Sequence, residues 1–320
     1  MSVATAPPKR SAKGRRGSGR SGGSRIRARA DRRSIGSLLL VAPPSLYVLA
    51  LLIAPVVLIA LYSVNLVTNV FGAPTEFSTT NWHAFLFGAD NPFRDRFFRS
   101  LLITLVVSVG AVIGAYPLAY FLAFVAGRHR YTILLAILAP FFTSYLLRVI
   151  AWQGILNNNG VVNSLLYTLG LRDHGHPIEG LIYSNFAVGL VLFYAWVPFV
   201  AVPIFVVLDN LDRSVIAAAS DLGAGKLSTF FHVTLPMSLP GVVSGFVFVL
   251  IPTTGEFIAP LLVGGPKSQL FGNSIQSFFG DTPNWNYGAV LALALVAVVL
   301  VLLLVFGRWL VPDTERGKAA

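Results

Sequence analysis

Long stretches without charged residues dominate the hydrophobic pattern of this chain. A membrane-spanning helix needs about 20 predominantly apolar residues, and several uncharged windows meet that requirement. The predicted spans are residues 38–62, 100–126, 131–155, 183–208, 239–262 and 287–306. Between the fourth and fifth spans lies a polar loop, residues 209–236, which is longer than a simple turn needs to be. The pattern therefore predicts an all-α, polytopic membrane protein with six transmembrane helices.

The composition of the chain supports the membrane prediction. Of the 320 residues, 55% are hydrophobic and 12% are charged, whereas soluble domains carry about 25% charged residues. The chain has no cysteine, which excludes disulfides, thiol catalysis and Cys-based metal sites. The sequence also contains no catalytic constellation and no Gly-rich phosphate-binding loop. We therefore expect a non-catalytic protein without a metal or a cofactor.

The net charge of +11 is concentrated near the N-terminus. Eleven of the 24 Lys and Arg residues lie between Lys9 and Arg33. Because residues 1–34 lack apolar periodicity, we predict a disordered basic tail there, followed by a six-span transmembrane domain over 35–311 and a C-terminal tail over 312–320. The basic tail has three interpretations: a cytosolic tail that touches anionic lipid headgroups, an organellar transit peptide, or a nucleic-acid-binding segment. It lacks aromatic residues that could stack on bases, so we expect no nucleic-acid partner.

The distribution of basic residues predicts which loops face the cytosol. Cytosolic loops of membrane proteins carry an excess of Lys and Arg. With both termini inside, the inner segments hold 18 basic residues and the outer loops hold five. We therefore expect a multi-pass protein of the plasma membrane with cytosolic N- and C-termini. In this orientation the polar loop 209–236 also lies in the cytosol.

The polar loop has the composition of two short helices joined by a sharp turn. Asp212 is a suitable N-cap for a helix over Arg213–Leu222, in which Ala217–Ala219 are strong helix formers. Gly223 supplies a left-handed residue that ends this helix. A second short helix is predicted over Lys226–Phe231. The result is an elbow across the base of the bundle.

The end of the loop and its exposed side chains complete this prediction. Pro236 is placed to begin the fifth span, at a position where its missing N–H is tolerated. The small alanine side chains allow another protein surface to approach closely. The larger apolar residues of the loop that can anchor such a surface are Leu222, Leu227, Phe230 and Phe231.

A spaced motif in this loop resembles the "EAA" loop of the membrane subunits of binding-protein-dependent ABC importers of the MetI-like type. The matching positions are Ala218, Ala219, Gly223, Val233, Leu235 and Pro236. Ala217 stands where the pattern has Glu, so one carboxylate of the family is missing. The resemblance implies that the loop couples the spans to an ATP-binding subunit. The residues that carry this implied role are Ala217, Ala218, Ala219, Asp221, Leu222, Gly223, Leu235 and Pro236.

Further stretches resemble the spermidine/putrescine-type branch of these importers. They are residues 116–120, 140–148, 151–152, 159–163, 198–199 and 255–260. The resemblance implies a bacterial inner-membrane permease with the type I importer fold, which takes up a small solute, expected to be a polyamine. It also implies the partners: two cytosolic ATP-binding subunits, a second permease (a paralogue or another copy) and an extracytoplasmic solute-binding protein.

Four residues in or near the spans are candidates for the translocation path: Glu256, Phe257, Trp152 and Arg148. A charge at bilayer depth is costly unless it faces a cavity or a partner. The Glu256 carboxylate and the two aromatic faces suit a cationic substrate. Arg148 can instead form a tertiary pair or reach the outer surface, and the aromatic residues can belong to the interface belt. The alternative function is an ion-gradient-driven transporter of a small cation, which would require inverted repeats and more midplane acids.

Overall fold

The computed structural model describes residues 22–67, 76–88, 91–171, 178 and 180–310, and these residues form helices without any β-strand. The α-helices are α1 (Gly22–Ser63), α2 (Thr80–Phe87), α3 (Pro92–Phe124), α4 (Arg130–Leu138), α5 (Tyr145–Leu156), α6 (Val161–Thr168), α7 (Asn185–Asp209), α8 (Arg213–Asp221), α9 (Lys226–Thr229), α10 (Leu235–Thr254), α11 (Phe271–Phe279) and α12 (Trp285–Leu310). Short 3-10 helices occupy Gly127–His129, Ala139–Phe142 and Pro266–Ser268, and π-helical turns occupy Phe230–Thr234 and Pro260–Gly264.

The chain divides into two compact units, Met1–Val57 and Leu58–Ala320. In the first unit the described part is the α1 backbone, which is helical from Gly22 onward. The predicted disordered tail therefore differs from the structure over residues 22–34. Arg and Ala have high helix propensity, and a helix nucleated in the apolar segment extends into them at low cost. Residues 1–21 and the predicted C-terminal tail 312–320 lie outside the described residues.

Five of the described helices are long and apolar enough to cross a membrane, and a bent pair supplies a sixth crossing if it counts as one span. The candidate spans are Ala42–Ser63, Pro92–Phe124, Asn185–Asp209, Lys226–Thr254 and Trp285–Gly307, with the bent pair Gly127–Phe142 and Tyr145–Thr168. The two members of the bent pair differ in direction by 84°. The fold is therefore all-α and polytopic, as the hydrophobic pattern predicts.

The third predicted span, residues 131–155, is not a single straight helix in the structure. It breaks after the 3-10 turn Ala139–Phe142, where Thr143 adopts an extended backbone with ψ of 159°. Pro140 lies at the beginning of that turn and has no N–H to donate. The Thr143 Oγ1 donates to the carbonyl oxygen of Pro140 at 2.7 Å, which satisfies an acceptor exposed by the break. The hydropathy of residues 131–155 shows that they are apolar but not that the helix changes direction, so the sequence pattern missed this bend.

The fifth predicted span, residues 239–262, differs from the structure at both ends. The helical run begins at Lys226, contains Pro236 and ends at Thr254. A π-helical turn precedes Pro236, and the N–H of Leu235 reaches back five residues to the Phe230 carbonyl. This wider turn accommodates a proline ring that would otherwise clash with the carbonyl four residues earlier. Pro236 therefore lies inside a continuous helical run and does not begin it.

The core of the second unit forms where α3, α7 and α10 pack together. Buried alanines of α3, such as Ala115 and Ala119, face Ile204 of α7 in one hydrophobic cluster. On α10, a Cβ at Gly241 would lie 2.8 Å from the carbonyl oxygen of Pro203. Small residues at helix contacts let backbones approach closely, which favours association in a membrane. This packing fixes α10, and with it the end of the polar loop, against the rest of the unit.

Candidate coupling surface and translocation path

The first arm of the polar loop is the helix α8, and its N-cap is the one that the sequence predicts. Asp212 has extended backbone, and its side chain accepts a hydrogen bond from the backbone N–H of Ser214 at 2.9 Å. Hydrogen bonding from Ser214 favours the ionised carboxylate and holds the pKa of Asp212 below its usual value. The cap is therefore charged at neutral pH and lies at the positive end of the helix dipole.

The end of α8 is a Schellman turn built on Gly223. The N–H of Gly223 donates to the Ser220 carbonyl at 3.0 Å, and the N–H of Ala224 donates to the Ala219 carbonyl at 3.1 Å. Gly223 has φ of +83°, so the predicted left-handed conformation is confirmed. A Cβ built at this glycine would meet no atom within 4 Å. Backbone conformation, and not space, is therefore what requires glycine here.

The outward surface of the loop is apolar at several positions. Ala217 and Ala218 are exposed and Ala219 is half-buried. Leu222 is 89% exposed, Leu227 is 75% exposed and Phe231 is 58% exposed. We call this group of residues the elbow surface: Ala217, Ala218, Ala219, Leu222, Leu227 and Phe231. Large apolar side chains that are this exposed in a polar loop are typical of a surface that a partner covers.

Phe230 does not belong to that surface, which corrects its predicted role as an anchor. Its ring lies 5.5 Å from the Tyr116 ring and 6.0 Å from the Tyr120 ring, both on α3. Leu235 also packs against this cluster, whereas Asp221 and Pro236 are exposed. The Phe231 ring lies edge-on against the Phe230 ring, with centroids 5.0 Å apart, but Phe231 is 58% exposed. Phe230 therefore attaches the loop to the spans, and Phe231 faces outward.

Three kinds of contact join the elbow to the membrane helices. The Nη2 of Arg213, the first residue of α8, donates to the Ala123 carbonyl at 3.0 Å, and its guanidinium lies 5.6 Å from the Phe124 ring centroid. Ile216 packs against the hydrophobic cluster of α3 and α7. The second arm of the elbow is continuous with the fifth span from Lys226 to Thr254. The elbow is therefore attached to two of the candidate spans.

Glu256 lies at the break that follows α10. Its Oε1 accepts hydrogen bonds from the N–H groups of Ile258 at 2.8 Å and Ala259 at 3.2 Å. The side chain is half-buried. The carboxylate therefore caps the turn that leads into Pro260, where a regular helix cannot continue. The sequence offered Glu256 either as a path-lining charge or as a member of a tertiary pair, and it did not predict this capping role.

Arg148 lies among aromatic rings. Its guanidinium carbon is 4.8 Å from the Phe141 ring centroid and 5.7 Å from that of Tyr145. Its Nε and Nη1 are buried without a hydrogen-bond partner among the described residues. No described carboxylate lies within ion-pair distance of Arg148, so the structure supports cation–π contact and not the tertiary ion pair that the sequence left open. The Tyr145 hydroxyl is likewise buried without a hydrogen-bond partner among the described residues.

An aromatic cluster surrounds this arginine. Its members, which we call the aromatic cluster, are Phe141, Trp152, Tyr194, Trp196, Phe199 and Phe248. Successive ring centroids lie 5.2 Å apart for Phe141 and Tyr194 and 5.3 Å apart for Trp152 and Tyr194. Phe199 extends the cluster to Phe141 at 5.7 Å and to Trp196 at 6.2 Å. The structure thus brings Arg148 and Trp152 together.

The fourth candidate, Phe257, is separate from this cluster. Its side chain is exposed, and its backbone carbonyl accepts a hydrogen bond from the Asn273 Nδ2 at 2.8 Å. Among the described residues it makes no ring contact with the aromatic cluster. Sequence reasoning missed the cluster members Phe141, Tyr194 and Phe199. The available signal was the concentration of aromatic residues at 141–152 and 193–199, which the search for charged residues left out.

The fold and the elbow together define a helical membrane permease. The chain matches the family of binding-protein-dependent transport system inner membrane components over residues 37–316, and it belongs to that family. The predicted family and fold class are therefore confirmed. The protein is a multi-pass inner-membrane permease subunit of the ABC importer type.

Comparison with individual proteins places the chain in the spermidine/putrescine-type branch. It is 34% identical over 209 residues to the spermidine/putrescine transport system permease protein PotB of Escherichia coli (strain K12), which covers 65% of this chain and 75% of the relative. It is 32% identical over 218 residues to the inner membrane ABC transporter permease protein YdcU of the same organism, which covers 65% of this chain and 69% of the relative.

A solved structure has the same fold. It is a chain of a bacterial ABC transporter involved in the import of the acidic polysaccharide alginate, with a TM-score of 0.65. The match covers 89% of this chain and 97% of the other, at 16% sequence identity. At this level of identity the similarity concerns the arrangement of the helices alone.

Proposed function

We propose that this chain is one of two permease subunits that form the path for uptake of a polyamine such as spermidine or putrescine, driven by ATP hydrolysis in a separate subunit. The observation that carries the proposal is the elbow: a capped helix, a glycine turn and an exposed apolar surface, continuous with the fifth span. The similarity to PotB supports the substrate class.

In this proposal the elbow surface docks into a groove of a cytosolic ATP-binding subunit. Ala217 and Ala218 allow close approach, while Leu222 inserts as the largest exposed apolar group of the turn. Because Ala217 replaces the family's Glu, docking here depends on shape and apolar contact more than on charge. Closure of the paired ATP-binding subunits moves α8, and the contacts of Arg213 and Phe230 pass that movement to α3 and α10.

The charges of the candidate path bear on how a polyamine would be held. Glu256 already accepts two backbone hydrogen bonds, and Arg148 carries an opposite charge without a carboxylate partner among the described residues. The candidate path in this chain therefore has no excess of negative charge with which to bind a polycation. The faces of the aromatic cluster, with Trp152 and Tyr194 in contact, can bind ammonium groups through cation–π interaction. The second permease supplies the facing half of the path.

The remaining partners follow from the same proposal. Two ATP-binding subunits contact the elbows of two permeases, which are either paralogues or two copies of this chain. An extracytoplasmic binding protein delivers the solute to the outer face. The N- and C-termini lie in the cytosol, as the distribution of basic residues predicts.

Uptake by the reconstituted complex tests this function directly. Proteoliposomes with this permease, its partner permease and the ATP-binding subunits should accumulate labelled spermidine when the binding protein is outside and ATP is inside. Accumulation should stop with a non-hydrolysable ATP analogue and persist after ionophores collapse the ion gradients. Uptake that follows an ion gradient and ignores ATP would support the secondary-transporter alternative. ATP-dependent uptake of a different solute would contradict the polyamine assignment but not the assignment as an ATP-driven importer.

A further inference from the structure

A basic cavity of about 380 Å³ lies where α3 ends and α4 begins, beside the first residue of α8. Three arginines line it: Arg128, Arg130 and Arg213. Gly127, another lining residue, has φ of +54°, and a Cβ there would meet no atom within 4 Å. The missing side chain at Gly127 keeps one side of the cavity open. We call this cavity the arginine pocket.

The arginine pocket has an uncompensated positive charge. Arg130 pairs with Asp209, which also accepts a hydrogen bond from the Tyr131 hydroxyl at 3.1 Å. Arg128 donates through its Nε to the Nε2 of His129 at 2.9 Å, and Arg213 donates to the Ala123 carbonyl at 3.0 Å. The printed partners of Arg128 and Arg213 are therefore neutral groups. Among the described residues, one carboxylate faces three guanidinium groups.

The position of the pocket suggests what binds there. It lies between the end of one candidate span, Pro92–Phe124, and the beginning of the bent pair at Gly127. A short connection between two crossings lies at the membrane–water boundary in either orientation of the chain. Phospholipid headgroups occupy that depth, and basic pockets between transmembrane helices bind anionic headgroups. Tyr131, which is 54% exposed, has the amphipathic ring that is enriched at this boundary.

We propose that the arginine pocket binds a phosphate group, carried by the headgroup of an anionic phospholipid. The guanidinium forks of Arg128 and Arg213 can each donate two parallel hydrogen bonds to phosphate oxygens. Arg213 is also the first residue of α8, so a bound phosphate fixes the beginning of the elbow against the end of α3. Lipid composition then regulates how firmly the elbow is held, which is a property beyond transport itself.

Lipid binding to the purified full-length permease, without ATP-binding subunits, tests this proposal. Native mass spectrometry would measure retention of phosphatidylglycerol against phosphatidylcholine. Arg128→Gln should weaken phosphatidylglycerol binding about fivefold, and the double variant with Arg213→Gln about thirtyfold, from ~1 kcal/mol per basic residue at a membrane surface. The control is Arg94→Gln, which removes an exposed arginine near the other end of α3 and should leave binding unchanged. Equal melting temperatures of the variants establish that all of them are folded.

The remaining arms identify the source of the phosphate. Inorganic phosphate is added to delipidated protein as a second probe. If it binds with the same dependence on Arg128 and phosphatidylglycerol does not bind, the site binds free phosphate. That result would keep the phosphate site and reject the lipid as its source. Unchanged phosphatidylglycerol retention in the double variant overturns the proposal, and so does an equal loss in Arg94→Gln. Displacement of the lipid by an acidic segment of an added ATP-binding subunit would assign the pocket to protein docking instead. Each outcome is independent of whether the complex transports a polyamine.

Discussion

At the scale of single residues, the structure assigns distinct tasks to neighbours that look alike in the sequence. Asp212 and Gly223 could be predicted, because caps and left-handed turns have strong local chemical signals. The opposite roles of Phe230 and Phe231 could not. The sequence offered both as anchors, because two adjacent phenylalanines look alike until their neighbours on α3 are known.

Replacing Gly223 by Val should abolish uptake while the protein still reaches the membrane. The backbone there has φ of +83°, which a β-branched residue rarely adopts. Asn, which tolerates the left-handed region, provides the matched control, and Gly223→Asn should retain most uptake. Uptake and membrane abundance are measured together in whole cells. Undiminished uptake in Gly223→Val would show that the left-handed turn at residue 223 is not required for coupling.

The two adjacent phenylalanines should respond in opposite ways to truncation. Phe230→Ala removes a ring that packs on Tyr116 and Tyr120, and it should destabilise the purified permease by roughly 2–3 kcal/mol. Phe231→Ala removes an exposed ring, so it should leave stability within about 0.5 kcal/mol of the parent and weaken binding of the ATP-binding subunit. Thermal unfolding and co-purification separate the two effects. Similar stability losses in both variants would contradict the assigned faces.

At the scale of elements, the sequence located the apolar segments better than their shapes. Long apolar windows with at most one charged residue identified every candidate span, because bilayer thickness sets their length. The break after Pro140 and the capped turn at Glu256 depend on local hydrogen bonds from Thr143, Ile258 and Ala259. Such hydrogen bonds depend on the tertiary position of the donor and the acceptor, so the hydropathy of the sequence does not predict them. The bend in the third span and the shifted ends of the fifth span therefore could not be predicted from the hydrophobic pattern.

The contact between α7 and α10 depends on a glycine that hydropathy does not distinguish from alanine. In Gly241→Ala the new Cβ would lie 2.8 Å from the Pro203 carbonyl oxygen, a backbone atom that cannot swing aside. Overpacking of this kind should destabilise the protein by about 1–3 kcal/mol. Gly189→Ala in α7 is the control, since its Cβ meets no atom within 4 Å and alanine favours helix. Thermal unfolding of both variants provides the comparison, and equal melting temperatures would refute the tight contact.

At the scale of the whole molecule, the described helices, the elbow and the family match make one consistent arrangement. The fifth span and the second arm of the elbow form one helical run, Lys226–Thr254, and α8 is joined to it through the Gly223 turn. The sequence predicted the family through a loop whose side chains are mostly exposed. Exposed residues that another protein must recognise are constrained in identity, whereas lipid-facing residues need only be apolar. The motif was therefore more informative than the spans.

The central claim is that α8 lies in the cytosol and contacts an ATP-binding subunit. Because the chain has no cysteine, a Ser220→Cys variant carries a single thiol on the exposed face of α8. In the assembled complex it should react with a membrane-impermeant maleimide from the cytosolic side only, and a bismaleimide should join it to the ATP-binding subunit. Thr282→Cys, on the loop one crossing away, should react from outside and form no such adduct. Labelling of Ser220→Cys from outside, or the absence of its adduct, would contradict the account.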